Sequence, residues 1–136
     1  DLRDMRELKE AHQKLTARVL QIENWNRKPF SPSTVKTFLA VSWKYFNGKC
    51  PCCGETEILN RSGVKRPVCE FDHFKGPRWN KVTEGWPICS GCHDKLTHGY
   101  WARDGNWIEQ AFKSFQVRVR QYLESQSQER SIFDRK

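Results

Sequence analysis

Two Cys-x-x-Cys pairs, Cys50/Cys53 and Cys89/Cys92, with 35 residues between Cys53 and Cys89, constrain this chain more than any other feature. Four thiolates at that spacing suit one tetrahedral zinc ion, each pair wrapping a tight knuckle over the metal. Gly54, just after the first pair, and Gly91, inside the second, supply backbone freedom where the chain folds over sulfur. Cys52 and Cys69 are left over. Pairing Cys52 with Cys50 or Cys53 breaks the two-residue spacing, and Cys69, in Pro67-Val-Cys-Glu-Phe71, reads as a small buried strand residue. The competing assignment, two disulfides in a secreted protein, has no signal-peptide pattern in the sequence to support it.

Zinc matters here because 136 residues with 37% hydrophobic content make one compact domain with appendages, not two independent cores. A structural zinc site contributes roughly 10 kcal/mol or more of folding free energy at neutral pH, enough to keep a small hairpin ordered. The net charge of +8 and pI near 9.4 favour a polyanionic partner. Residues 73–103 concentrate that charge: Lys75, Arg78, Lys81, Lys95 and Arg103 stand against Glu84 and Asp94. No apolar run approaches the roughly 18 residues that span a bilayer, so no membrane partner is expected. Thiolate-bound zinc beside free Cys52 and Cys69 fits a reducing, intracellular compartment.

Between the knuckles lie Asp72-His73, on a strand predicted over Val68–Phe74, and His93 directly follows Cys92. A purely structural zinc ribbon needs neither. The order CPCCG, then CEFDHF, a loop, and PICSGCHDKLTH resembles the HNH nuclease family, the zinc-bearing branch of the ββα-metal endonucleases, over about residues 44–100. The resemblance implies an α+β fold: a small hairpin-helix core clamped from outside by a four-cysteine zinc site of Cys50, Cys53, Cys89 and Cys92, and flanked by α-helices. It implies His73 as the general base that takes a proton from the attacking water. Asp72 and His93 match the ligands of one catalytic divalent cation, Mg²⁺, Mn²⁺ or Ni²⁺. His98 is an auxiliary ligand, a phosphate contact or a plain surface histidine; by helical spacing Thr97 shares the face of His93 more closely. The family's middle Asn slot reads Thr83-Glu84-Gly85-Trp86 here, so Asn80 or Glu84 takes the role of tying the loop between the strands, and Leu96 stands where many members carry Lys. Lys75, Arg78, Trp79, Lys81 and Lys95 would lie along DNA.

The flanks read as helices. Met5, Leu8, His12, Leu15, Val19 and Ile22 step by three and four, giving an imperfect amphipathic helix over 1–28 that docks on its own domain or dimerises. Ser31-Pro32 marks the start of a second helix, within 31–48, that leads into the first knuckle; Val35, Phe38, Leu39, Ser42 and Phe46 form its buried face, and Trp43 and Tyr45 read as packing residues. The zinc-bound core occupies 49–103, with Trp86-Pro-Ile88 as second strand and a site helix from Ser90 to about His98. Asn106 and Glu109 suggest a capping box for a helix over 104–124 with the stripe Ile108, Phe112, Phe115, Val119 and Tyr122. Residues 125–136 carry little to bury and read as a flexible tail. The chain begins at Asp1 and not Met, the expectation for a processed form or part of a larger parent protein. Together these features predict a metal-dependent DNA endonuclease with little intrinsic sequence preference, in the cytoplasm or, if phage-encoded, that of the host. The alternative is a catalytically inactive zinc-stabilised DNA-binding or adaptor module on the same scaffold, and a weaker one a protein-binding zinc module.

Overall fold

The computed structural model describes residues 4–10 and 27–134. Residues 4–10 are helical (α1), and their two seam residues, Met5 and Leu8, are 67% and 71% exposed. The rest of that seam, and with it the docking or dimerising role, lies outside the described residues. Residues 27–30 are not helical, so the predicted helix over 1–28 does not include its last two positions.

Helix α2 spans Pro32–Phe46. Ser31 caps it by accepting the Thr34 N–H at 3.2 Å, and Pro32 occupies the first turn, where a missing N–H costs nothing. Asn47 in the left-handed region ends the helix (φ 55°), and Gly48 follows with φ 72°. Phe38, Val41 and Ser42 are buried, with Leu39 and Phe46 partly so. Trp43 packs at the surface, not in the core: it is half exposed and lies across Gly63, where a Cβ would come within 3.5 Å of its ring.

Strand β1, Cys69–Asp72, pairs antiparallel with β2, Trp86–Cys89, in the register Cys69↔Cys89 to Asp72↔Trp86. The first strand is shorter than the predicted Val68–Phe74. The ladder stops at Asp72 because the His73 carbonyl is taken by the Gly76 N–H in a tight turn. All four residues of β2 are buried, Pro87 among them; a two-stranded ribbon leaves each strand one unpaired edge, so proline is tolerated. A short 3₁₀ turn, Val82–Glu84, precedes β2, and α3, Ser90–Thr97, follows without a break.

Helix α4 spans Trp107–Asp134 and buries Ile108, Phe112, Phe115 and Val119; Phe115 packs on Phe38 and Phe46 of α2, and Phe112 meets Phe74 and Trp86 of the hairpin region. Phe112 stacks face to face on Phe74 with centroids 3.8 Å apart. The predicted capping box is offset by one residue: the Asn106 side chain accepts the Ile108 N–H, whereas Glu109 reaches back to the Gly105 N–H. The helix does not stop at 124. Residues 125–134, predicted as a flexible tail, are helical, since the run of Ser, Gln, Glu and Arg holds no Gly or Pro to end it; low apolar content limits packing, not helix continuation. The arrangement is thus α+β, helices around a two-stranded antiparallel sheet. No described helix is long and apolar enough to cross a membrane.

Candidate functional site

The two knuckles bring Cys50, Cys53, Cys89 and Cys92 together, their sulfurs all within 4.8 Å of one another. The Cys50–Cys92 and Cys53–Cys89 separations are 3.9 and 4.0 Å. Four sulfurs at about 2.3 Å from a tetrahedral zinc lie about 3.8 Å apart, so the quartet fits that ion. The first knuckle closes through the Gly54 N–H to the Cys50 carbonyl, with Gly54 at φ 73°. All six cysteines are free, Cys52 is buried outside the quartet and Cys69 is buried in β1. Acid–base behaviour differs among the four donors. The contact with Cys92 and burial push the Cys50 thiol well above the ordinary range. Burial also pushes Cys53 up, but the Thr56 and Glu55 backbone N–H groups prevail and bring it down to about 6.

At the other end of the sheet, β1 places Glu70 and Asp72 two residues apart and so on one face. Because the strand ends at Asp72, His73 lies in the following turn and escapes the alternation that would send it to the opposite side. The first turn of α3 adds His93. Asp72, His73 and His93 line one cleft of about 320 Å³ with Arg27, Pro77, Leu96, Thr97 and Arg103. Asp72 is 1% exposed. Its Oδ2 accepts the Trp86 Nε1–H at 2.9 Å and an Arg103 guanidinium N–H, while Oδ1 lies 3.6 Å from His93 Nε2. His93 Nδ1 is 3.3 Å from Glu70 Oε2. With Nδ1–H donated to Glu70, the Nε2 lone pair faces Asp72. An anionic oxygen and an imidazole nitrogen at that separation can share a divalent ion with bonds near about 2.1 Å.

His73 is 9% exposed, its ring stacked on Phe30 at 4.2 Å. Its Nε2 lies 2.7 Å from the Lys28 carbonyl. A carbonyl only accepts, so Nε2 carries the proton in that bond. Burial lowers the pKa of His73 from its ordinary value, and the charges of Arg27 and His93 add to this against the raising effects of Lys28 and Asp72. The ring is thereby kept in its neutral, basic form near pH 7.

Other predicted residues fall elsewhere. His98 ends α3, exposed, and is absent from the cleft lining, whereas Thr97 lines it. Asn80 does not line the cleft; its Nδ2 donates to the Pro29 carbonyl at 3.1 Å, while Glu84 accepts the Lys81 N–H at 3.0 Å and ties the loop to itself. Lys75 lies over the Phe74 and Phe112 rings, and Lys95 is 4.4 Å from the centroid of Trp101. Arg78, Trp79 and Lys81 are exposed on the loop between the strands. None of these five lines the cleft. Among the described residues the cations that do are Arg27 and Arg103; Arg27 carries no signal in the sequence, and Arg103 shows there only as one of the basic residues concentrated in 73–103, since it stands 31 residues from its partner Asp72 and no spacing rule pairs them. Glu70, two places before Asp72 on a strand, was legible from period-two alternation. A scan against protein-family models and searches of curated proteins and of solved structures find nothing that matches this chain.

Proposed function

We propose that this protein is a metal-dependent HNH-type endonuclease that hydrolyses DNA phosphodiester bonds, nicking or cutting with little intrinsic sequence preference. The observation that carries the reading is the convergence of Asp72, His73 and His93, from a strand end, a turn and a helix start, on one cleft. A bound Mg²⁺, Mn²⁺ or Ni²⁺ held by Asp72 and His93 would stabilise the charge that develops on the phosphoryl group and its leaving oxygen. His73, neutral and fixed in the cleft wall, removes the proton from the attacking water. Glu70 holds the His93 ring so that Nε2 faces Asp72. Arg27 and Arg103 at the cleft, with Lys75, Arg78, Lys81 and Lys95 around it, contact phosphates, which position a duplex without specifying its sequence. The four-cysteine cluster, loaded with zinc, clamps the base of the hairpin and takes no part in the chemistry.

One observation favours the catalytically inactive DNA-binding module instead: Arg103 already neutralises Asp72, the carboxylate a catalytic cation would need. The test is incubation of the zinc-loaded protein with supercoiled plasmid, without added metal and with Mg²⁺, Mn²⁺ or Ni²⁺, beside a folded, zinc-retaining His73→Ala. Nicked or linear product that requires both the added cation and His73 supports the nuclease. Binding by both proteins with cleavage by neither supports the binding module.

A further inference from the structure

The segment before α2 belongs to neither the zinc cluster nor the hairpin, yet it is fastened onto the cleft at several independent points. The Lys28 N–H donates to the Pro77 carbonyl at 2.8 Å, and the Lys28 carbonyl accepts His73 Nε2–H at 2.7 Å. The Pro29 carbonyl accepts Asn80 Nδ2–H at 3.1 Å. Phe30 lies on the His73 ring, 18° from parallel, and meets Phe38 edge-on at 5.2 Å.

Gly85 explains how Phe30 comes so close. A Cβ at Gly85 would stand 2.2 Å from Phe30 Cζ and 2.7 Å from the Asp72 carbonyl oxygen. Its φ of −156° is extended backbone open to any residue, so glycine is required there for space and not for conformation. The loop between the strands is therefore shaped to receive the segment: Pro77 and Asn80 bond it, and Gly85 leaves room for its aromatic ring.

We propose that residues 27–30 are a positioning strap of the active site, in which the Lys28 carbonyl fixes Nε2 of His73 as the protonated nitrogen and the Phe30 ring fixes its plane, leaving Nδ1 as the base. The inference rests on the nuclease reading for its effect on turnover, but the hold on the ring is a property of the strap alone. The zinc cluster flanks the opposite end of the sheet, at the Cys69↔Cys89 pair, while the strap sits at the Asp72↔Trp86 end, so loosening the strap leaves the metal clamp intact.

The experiment compares zinc-loaded wild type with Phe30→Ala and Asn80→Ala, after zinc content and far-UV dichroism have shown each variant folded. Phe30→Ala removes the stack; Asn80→Ala, a milder change, removes one tether and keeps the aromatic core. Imidazole-tuned ¹H–¹⁵N spectra report the His73 Nε2 proton. In wild type it is expected as a resolved, slowly exchanging signal, and in both variants it broadens into exchange with water. Cleavage of plasmid with Mn²⁺ is expected to lose about a hundredfold in kcat for Phe30→Ala, the order associated with a small misplacement of a catalytic group, with KM for DNA changed less than about twofold. A His73 Nε2 proton that stays protected in both folded variants overturns the proposal, as does unchanged kcat in an active enzyme. A wild type that cuts nothing with any of the three cations overturns the nuclease reading, and the strap is then judged on the proton alone.

Discussion

Replacing Arg103 by Ala tests the electrostatics of the cleft directly. Asp72 is almost wholly buried and its Oδ2 has two donors, the Trp86 indole and the Arg103 guanidinium. Removing one partner of a buried ion pair costs about 3–5 kcal/mol when the remaining charge has no access to water. The Arg103 side chain is 27% exposed, so solvent reaches the vacated position and the Trp86 bond survives; we expect about 2 kcal/mol. For a domain of this size that corresponds to roughly 6–9 °C in melting temperature. The assay is urea and thermal unfolding of zinc-loaded wild type and variant, first without added metal and then with Mn²⁺. A cation in the cleft replaces the lost positive charge, so Mn²⁺ stabilises the variant more than the wild type; at about a hundred times Kd the gain for a single site is about 2.7 kcal/mol. A variant within about 0.5 kcal/mol of wild type, the range of an ordinary surface substitution, or one whose deficit Mn²⁺ leaves untouched, would refute the reasoning that Arg103 and a divalent ion serve the same carboxylate.

His73→Ala is expected to keep its fold and zinc and to lose about a hundred- to ten-thousand-fold in cleavage rate, measured on supercoiled plasmid. Stripping zinc with a thiol-competing chelator removes roughly 10 kcal/mol of folding free energy, so far-UV dichroism and hydrogen-exchange protection in residues 49–97 should collapse and return on zinc addition. Cys52→Ala should still bind one zinc per chain by atomic absorption, whereas Cys53→Ser should bind it far more weakly; zinc kept by Cys53→Ser and lost by Cys52→Ala would put Cys52 in the ligand set in place of Cys53. Glu70→Ala frees His93 Nδ1 and should weaken Mn²⁺ binding to the zinc-loaded protein about ten- to a hundredfold in an EPR titration, with Glu70→Gln between the two.

Much of the architecture was legible in the chain itself, because local rules decide it. Cys-x-x-Cys spacing brings four sulfurs to one point, Ser31-Pro32 starts α2 and Asn47-Gly48 stops it, and the stripe on α4 steps at helical period into the core. Asp72, His73 and His93 were legible as a set because a motif of short, ordered segments carries them. The tail departs from expectation where two local signals part company: residues 125–134 hold few apolar side chains to bury, yet nothing in them breaks a helix. Trp43 packs over Gly63 with half of its surface left exposed, since which face of a helix is covered depends on what arrives from elsewhere.

What only the tertiary structure decided is how the cleft is charged and held. Arg103 meets Asp72 across 31 residues, Lys28 meets His73 across 45, and Asn80 meets Pro29 across 51. Such partners share no period and no turn. They are neighbours because the hairpin, α3 and the segment before α2 pack on one core, and burial then makes each polar group take whichever partner lies within reach. The sequence alone determined which residues are candidates for the chemistry and for the zinc. Folding alone determined that His98 stands outside the cleft, that Arg27 and Arg103 stand inside it, and that a backbone carbonyl from outside the motif holds the histidine ring.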